Sequence, residues 1–161
     1  MAAIDPTPAT VLSVQQENCR PWLGMWVSAG KKENWPAVME ALGLPEMYSE
    51  KNTFVLKLWC DGEDFHYDAG ILEAKFKHSV TFKLGTPTEL NHGNKIVITY
   101  TEEDGKLIAD GVIAAKNLIL HNVFAAQGDV LIKTYRVGNV VAKSWYRRLS
   151  STADSNILSF L

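Results

Sequence analysis

The sequence predicts an all-β fold: a ten-stranded antiparallel up-and-down β-barrel with a short helix-turn-helix cap. Three observations carry this expectation. From Asp129 to Leu149 the chain reads DVLIKTYRVGNVVAKSWYRRL, two arms of β-branched and aromatic residues folded back at Gly138-Asn139. Short segments of alternating apolar and polar residues, each ended by a turn pair, recur through most of the remaining length. A single stretch of helical period interrupts them after the first strand, which favours a barrel capped at an open end over a sandwich.

The elements follow in order. Residues 1–20 are rich in Ala, Thr, Pro and Gln and read as a loose tail. The barrel domain is expected over 21–149, beginning with the strand Pro21 to Gly30. The cap falls at about 33–51. There Asn34 is placed to start a helix, Trp35, Val38, Met39 and Leu42 recur at helical spacing, and Gly43 ends it. Pro45 to Tyr48 can start a second short helix with Pro near its first position. This pair is the only helical segment that the pattern supports. Strands follow at 53–60, 64–71, 77–84, 95–102, 106–113 and 117–125, with turns at Asp61-Gly62, Asp104-Gly105 and Gln127-Gly128. The closing hairpin and a short strand near Thr88 to Leu90 bring the count to about ten. In that hairpin Val141, Lys143, Trp145 and Arg147 share one face, and Ala142, Ser144, Tyr146 and Arg148 the other. Residues 150–161 form a C-terminal tail carrying Ile157, Leu158, Phe160 and Leu161.

With 161 residues the chain is large enough for one domain with a real core. Apolar residues make up 47% and charged ones 21%, which argues against wholesale disorder. The net charge of −2, without a long run of one sign, gives no footprint for nucleic acid, and none is expected as a partner. No apolar run approaches the roughly 20 residues of a membrane-spanning helix. The N-terminus shows neither a basic n-region nor a useful apolar h-region, so either secretion by the usual route is absent or a leader has been removed.

The two cysteines, Cys19 and Cys60, are either independent thiols or a disulfide. If the strand beginning near Trp22 pairs antiparallel with the strand ending near Cys60, the sulfurs share one end of that pair. A bridge closing such a loop contributes about 4 kcal/mol in the chain-entropy model, less any strain.

One strand, two short helices and nine strands is a plan that resembles the intracellular fatty-acid-binding proteins, as do Gly24-x-Trp26 and Phe82-Lys83-Leu84-Gly85. ALGLP at 41–45, GEDFHY at 62–67, YTEEDG at 100–105 and above all KTYRVGNVVAKSWYRR at 133–148 resemble the secretory-abundant heat-soluble proteins of tardigrades. The similarity runs from about Trp22 to Ser150. It implies a lipid-binding-protein-like barrel, an extracellular location, heat solubility and a role in tolerating water loss. In contrast with a hydrophilic family, 111–126 carries apolar residues on both strand faces.

No HExxH, GxSxG, Walker loop, GxGxxG or CxxC occurs, so catalysis and a cofactor are not expected. His66, His78, His92 and His121 are scattered; His66 and His78 lie on strands that can neighbour each other, a weak basis for a divalent-ion site. The five tryptophans, 22, 26, 35, 59 and 145, read as packing, and Lys31, Lys32, Arg147 and Arg148 as solvated surface. In the fatty-acid-binding proteins an Arg-x-Tyr pair on the last strand, with a second Arg, holds a carboxylate, because a buried anion needs pairing and hydrogen bonds. The resemblance places that pair at Ser144 and Tyr146 and the second Arg near Asn122 or Val123, so both arginines are missing. Alternation through Leu131, Lys133, Tyr135 and Val137 puts Lys133 inside as a substitute; a shift of one residue sends it to solvent, the commoner arrangement on a barrel wall. Candidate ligand-binding groups are therefore Tyr146, Ser144, Lys133 and Tyr135, for an uncharged or loosely held apolar molecule.

Two functions follow. The first is a non-catalytic protective protein, monomeric, that shields client proteins or membranes on drying. The second is a carrier of fatty acids or other apolar small molecules. The tail offers a weaker third, contact with a membrane or partner.

Overall fold

Ten antiparallel strands form a single sheet rolled into a nearly closed barrel. They are β1 (Gly24–Glu33), β2 (Phe54–Asp61), β3 (Asp64–Ile71), β4 (Phe76–Phe82), β5 (Pro87–His92), β6 (Asn94–Glu103), β7 (Lys106–Ile113), β8 (Leu118–Gln127), β9 (Val130–Val137) and β10 (Val140–Arg148). The coordinates are a computed structural model that describes residues 20–92, 94–150 and 154–160. Each strand pairs with its sequence neighbour, and β1 pairs with β10, so the sheet runs β4-β3-β2-β1-β10-β9-β8-β7-β6-β5. Among the described residues no ladder joins β4 to β5. The ten-stranded up-and-down barrel expected from the sequence is thus formed, with one seam between β4 and β5.

Turn chemistry sets the register. Asp104 and Gly105 both take positive φ (53° and 74°), the requirement of a two-residue hairpin matched to strand twist. Gly138, at φ 59°, opens the last hairpin, and Val137 faces Val140 across it. Two turns sit one residue later than the sequence reading placed them. Asp61 pairs with Asp64 and Gln127 with Val130, so the tips are Gly62-Glu63 and Gly128-Asp129. The left-handed glycine then occupies the first central position, at φ 67° and 61°.

The helical cap is smaller than expected. Helix α1 (Trp35–Leu42) starts after Asn34, but Asn34 lies in the left-handed region (φ 57°) and its side chain caps nothing. Its amide donates instead to the Val141 carbonyl (2.9 Å), fastening the cap to β10. Gly43, at φ 65°, reverses the chain; its N–H donates to Glu40 and that of Leu44 to Met39. Lys116 Nζ donates to the Leu42 carbonyl (2.8 Å) at this end, where a cation also suits the helix dipole. The second helix is only a 3₁₀ turn, Glu46–Tyr48. It turns tightly so that Tyr48 meets Phe54 and Phe76 edge-on, while its carbonyl accepts from Trp35 Nε1 (2.7 Å).

The opposite end is stoppered by residues 20–23. Trp22 is fully buried and its Nε1 donates to Glu102 (3.0 Å), which also pairs with Arg20. Arg148 is no solvated surface cation: it donates to the carbonyls of Leu23 and Gly128 and lies over Trp26 at 4.2 Å. Arg147 is likewise engaged, through a two-toothed ion pair with Asp154 (both 2.9 Å). Asp154 precedes a four-residue helix, α2 (Ser155–Leu158), so the cap is not the only helical segment. The N-terminal tail up to residue 19, residues 151–153 and 161, and Gly93 lie outside the described residues.

Candidate functional site

Alternation decides what faces the interior. On β10 Ala142, Ser144 and Tyr146 are buried, and on β9 Leu131, Lys133, Tyr135 and Val137. The open question of register is thereby settled: Lys133 points inward. It is 9% exposed, and its strand partners are Ser144 on one side and Phe124 on the other.

Beneath the cap lies a cavity of about 210 Å3. Its mouth is aromatic, with Trp35, Tyr48, Phe54 and Phe76, and its floor holds the polar groups Lys133, Tyr67, Tyr135, Tyr146 and Asn122. Lys133 Nζ donates to the Tyr67 hydroxyl (3.0 Å) and sits 4.5 to 5.5 Å from the ring centroids of Tyr135, Phe124 and Tyr67. The rings of Tyr135 and Phe124 thus solvate the ammonium through their negative π-surfaces, and Tyr67 does so through its hydroxyl oxygen. Among the described residues no carboxylate pairs with it. The hydroxyls of Tyr135 and Tyr146 approach to 3.4 Å. Burial pushes the Tyr67 phenol well up, with the nearby Tyr48 adding to the shift, and burial raises Tyr146 as well, so both are neutral donors across the physiological range.

Three of the four expected groups, Tyr146, Lys133 and Tyr135, line this cavity. Ser144 faces inward but is sealed in the wall, with no partner for its hydroxyl among the described residues. Asn122, the position matched to the missing second arginine, lines the cavity with its buried Oδ1 likewise unpaired among those residues. Val123 is not part of the lining. Sequence reasoning passed over Tyr67 and Phe124, although buried Phe65, Tyr67, Ala69 and Ile71 follow the period of a strand. It also put Lys32 in solvent. A register shift in β1 between Ser28 and Lys32 turns Lys32 over the Phe54 ring (4.6 Å), and burial lowers its pKa against the pull of Glu50.

The histidine pair does not form. His66 stacks on Trp59 outside the barrel, while His78 lines the cavity, so the two occupy opposite faces. His121 bonds Asp110 (2.5 Å), and among the described residues no cluster of three or more metal-ligating side chains exists. The tryptophans split as packing residues do: Trp22, Trp26 and Trp35 are buried, and Trp145 carries Lys31 over its ring. Cys60 is half-buried at the end of β2; Cys19 and the His92 side chain lie outside the described residues.

Known proteins resemble this chain in sequence and in fold. No family model matches the chain. It is 41% identical over 132 residues to secretory-abundant heat soluble protein 53582 of a Hypsibius species, covering 80% of this chain and 81% of the relative. It is 36% identical over 135 residues to secretory-abundant heat soluble protein 1 of Ramazzottius varieornatus, covering 83% and 80%. The crystal structure of a secretory-abundant heat-soluble protein from Ramazzottius varieornatus superimposes with a TM-score of 0.77 at 35% identity, over 81% of this chain and 96% of that one. A Schistosoma mansoni fatty acid binding protein in complex with arachidonic acid shares the fold, with a TM-score of 0.72 at 24% identity over 81% and 97%. On the identity and coverage of these relatives, this chain belongs to the secretory-abundant heat-soluble protein family.

Proposed function

We propose that this chain is a non-catalytic protective protein that shields other macromolecules, outside the cell, when water is withdrawn. The supporting observation is the membership of a family named for secretion and heat solubility. The fold suits the role. One hydrogen-bonded sheet wraps a single core, and its two edges, β4 and β5, lie beside each other at the seam, so each restricts access to the other's unpaired backbone as the solution concentrates. Such barrels occupy the space between client surfaces and replace lost water contacts with hydroxyls and charges. Drying a labile enzyme with and without the protein tests this. Recovered activity should exceed that with an equal mass of albumin; parity with albumin refutes the reading.

A second reading has an observation of its own. Lys133 is a buried cation with no carboxylate beside it among the described residues, set among neutral tyrosine hydroxyls at the floor of an apolar cavity. That arrangement supports a carrier for a small amphiphile, its chain under the cap and its polar head at Lys133. Displacement of a fluorescent fatty acid tests it. Saturable micromolar binding, weakened at least tenfold by Lys133→Ala and less by Tyr146→Phe, is expected. Absence of saturation removes the carrier.

A further inference from the structure

One row of residues crosses the outer wall of the barrel. Strand register places Arg147 of β10 beside Val27 of β1, Val27 beside Val55 of β2, Val55 beside Gly70 of β3, and Gly70 beside Lys77 of β4. The row has a cation at each end and three small apolar residues between them. On an outer barrel face such valines are ordinarily wet. Here Val27 and Val55 are 2% and 0% exposed, and neither belongs to the interior core.

The C-terminal segment engages this row at both ends. Asp154, 4% exposed, grips Arg147 through both carboxylate oxygens and accepts the backbone N–H of Ser150 (2.8 Å). At the far end the Phe160 ring packs on Gly70 so closely that a Cβ there would lie 2.5 Å from ring carbon Cε2. Lys77 Nζ donates to the Phe160 carbonyl (3.0 Å), and its ammonium sits 5.4 Å from the Phe160 ring centroid. Ile157 and Leu158, between these anchors, are half-buried.

Position gives this contact a consequence. β4 is an edge strand, held by β3 on one side and, among the described residues, by no ladder on the other. Gly70, Ile71, Phe76 and His78 of the β3–β4 hairpin line the cavity, so at Gly70 only backbone separates Phe160 outside from the hollow inside. We propose that residues 154–160 are a latch that ties the seam edge of the barrel to its last strand and controls opening of the cavity along the β3–β4 hairpin. A local opening of this hairpin must first lift Phe160 from Gly70 and Lys77, so the latch raises the free energy of that opening without touching the opposite wall.

The test is amide hydrogen exchange on the full-length protein and on Phe160→Ala and Asp154→Asn, separately and combined. Exchange in Phe76–Phe82 should quicken about tenfold in the double variant, with β7 to β9 unchanged. A fluorescent fatty-acid probe should enter and leave faster at nearly constant affinity. Unchanged exchange in β4, or an equal rise in every strand, overturns the latch. The probe arm rests on the carrier reading and the exchange arm does not, so a protein that binds no probe yet shows the local rise keeps the latch and loses the carrier.

Discussion

Asp154 shows how much one side chain can hold. The Arg147 hydrogen bond, then the Ser150 backbone N–H, draws its carboxyl down to about 2. A carboxylate whose pKa is lower in the folded chain than in the unfolded one stabilises the fold above the unfolded value, near 4, and loses that contribution as pH falls through about 2. Wild type should therefore exceed Asp154→Asn in urea midpoint near neutral pH, and the gap should close between about pH 4 and 2. A gap independent of pH would show that the ion pair does not hold the tail. Lys133 makes the complementary point. Its cage joins two parts of the chain distant in sequence, since Tyr67 lies on β3 while Phe124 and Tyr135 lie on the β8–β9 hairpin that carries Lys133 itself.

Among the elements, the cap depends on one backbone conformation. Gly43 ends α1 in the left-handed region (φ 65°, ψ 39°) and points the chain back over the mouth. An alanine there takes on the strain of that region, about 1 kcal/mol, and its Cβ would sit 3.1 Å from Lys116 Nζ, a flexible group able to move. Gly43→Ala should lower stability to chemical denaturation by about that amount while the barrel strands keep their circular dichroism. A variant as stable as wild type would mean that the cap is not anchored at this turn. The strands themselves were readable because period-2 alternation and Asp-Gly or Gly-Asn turns are local signals. The tail helix was not, because a four-residue helix rests on the contacts of Asp154 and Phe160 at its two ends rather than on its own propensity.

For the molecule as a whole, the two proposed functions make separable demands. A shield acts through its surface and its resistance to aggregation, whereas a carrier acts through Lys133 and the cavity. Lys133→Met keeps the volume and removes the charge, so it should protect an enzyme on drying as well as wild type does while losing affinity for an acid-headed probe. Loss of both together would unite the two roles in the cavity. The exposed aliphatics Val97, Val112 and Ile119 fall in one cross-strand row on β6, β7 and β8, which accounts for the apolar residues on both faces of 111–126.

The sequence by itself determined the all-β class, the strand order, the hairpin at Gly138-Asn139 and the kinship, because each rests on neighbours in the chain or on motifs carried within it. Only the tertiary structure decided that Lys133 faces inward, that Lys32 turns over Phe54, that the barrel is seamed between β4 and β5, and that Arg147 belongs to a tail contact. The physical reason is register. A one-residue slip exchanges inside for outside along a whole strand, and what resolves it is the joint burial of many distant side chains around a shared core.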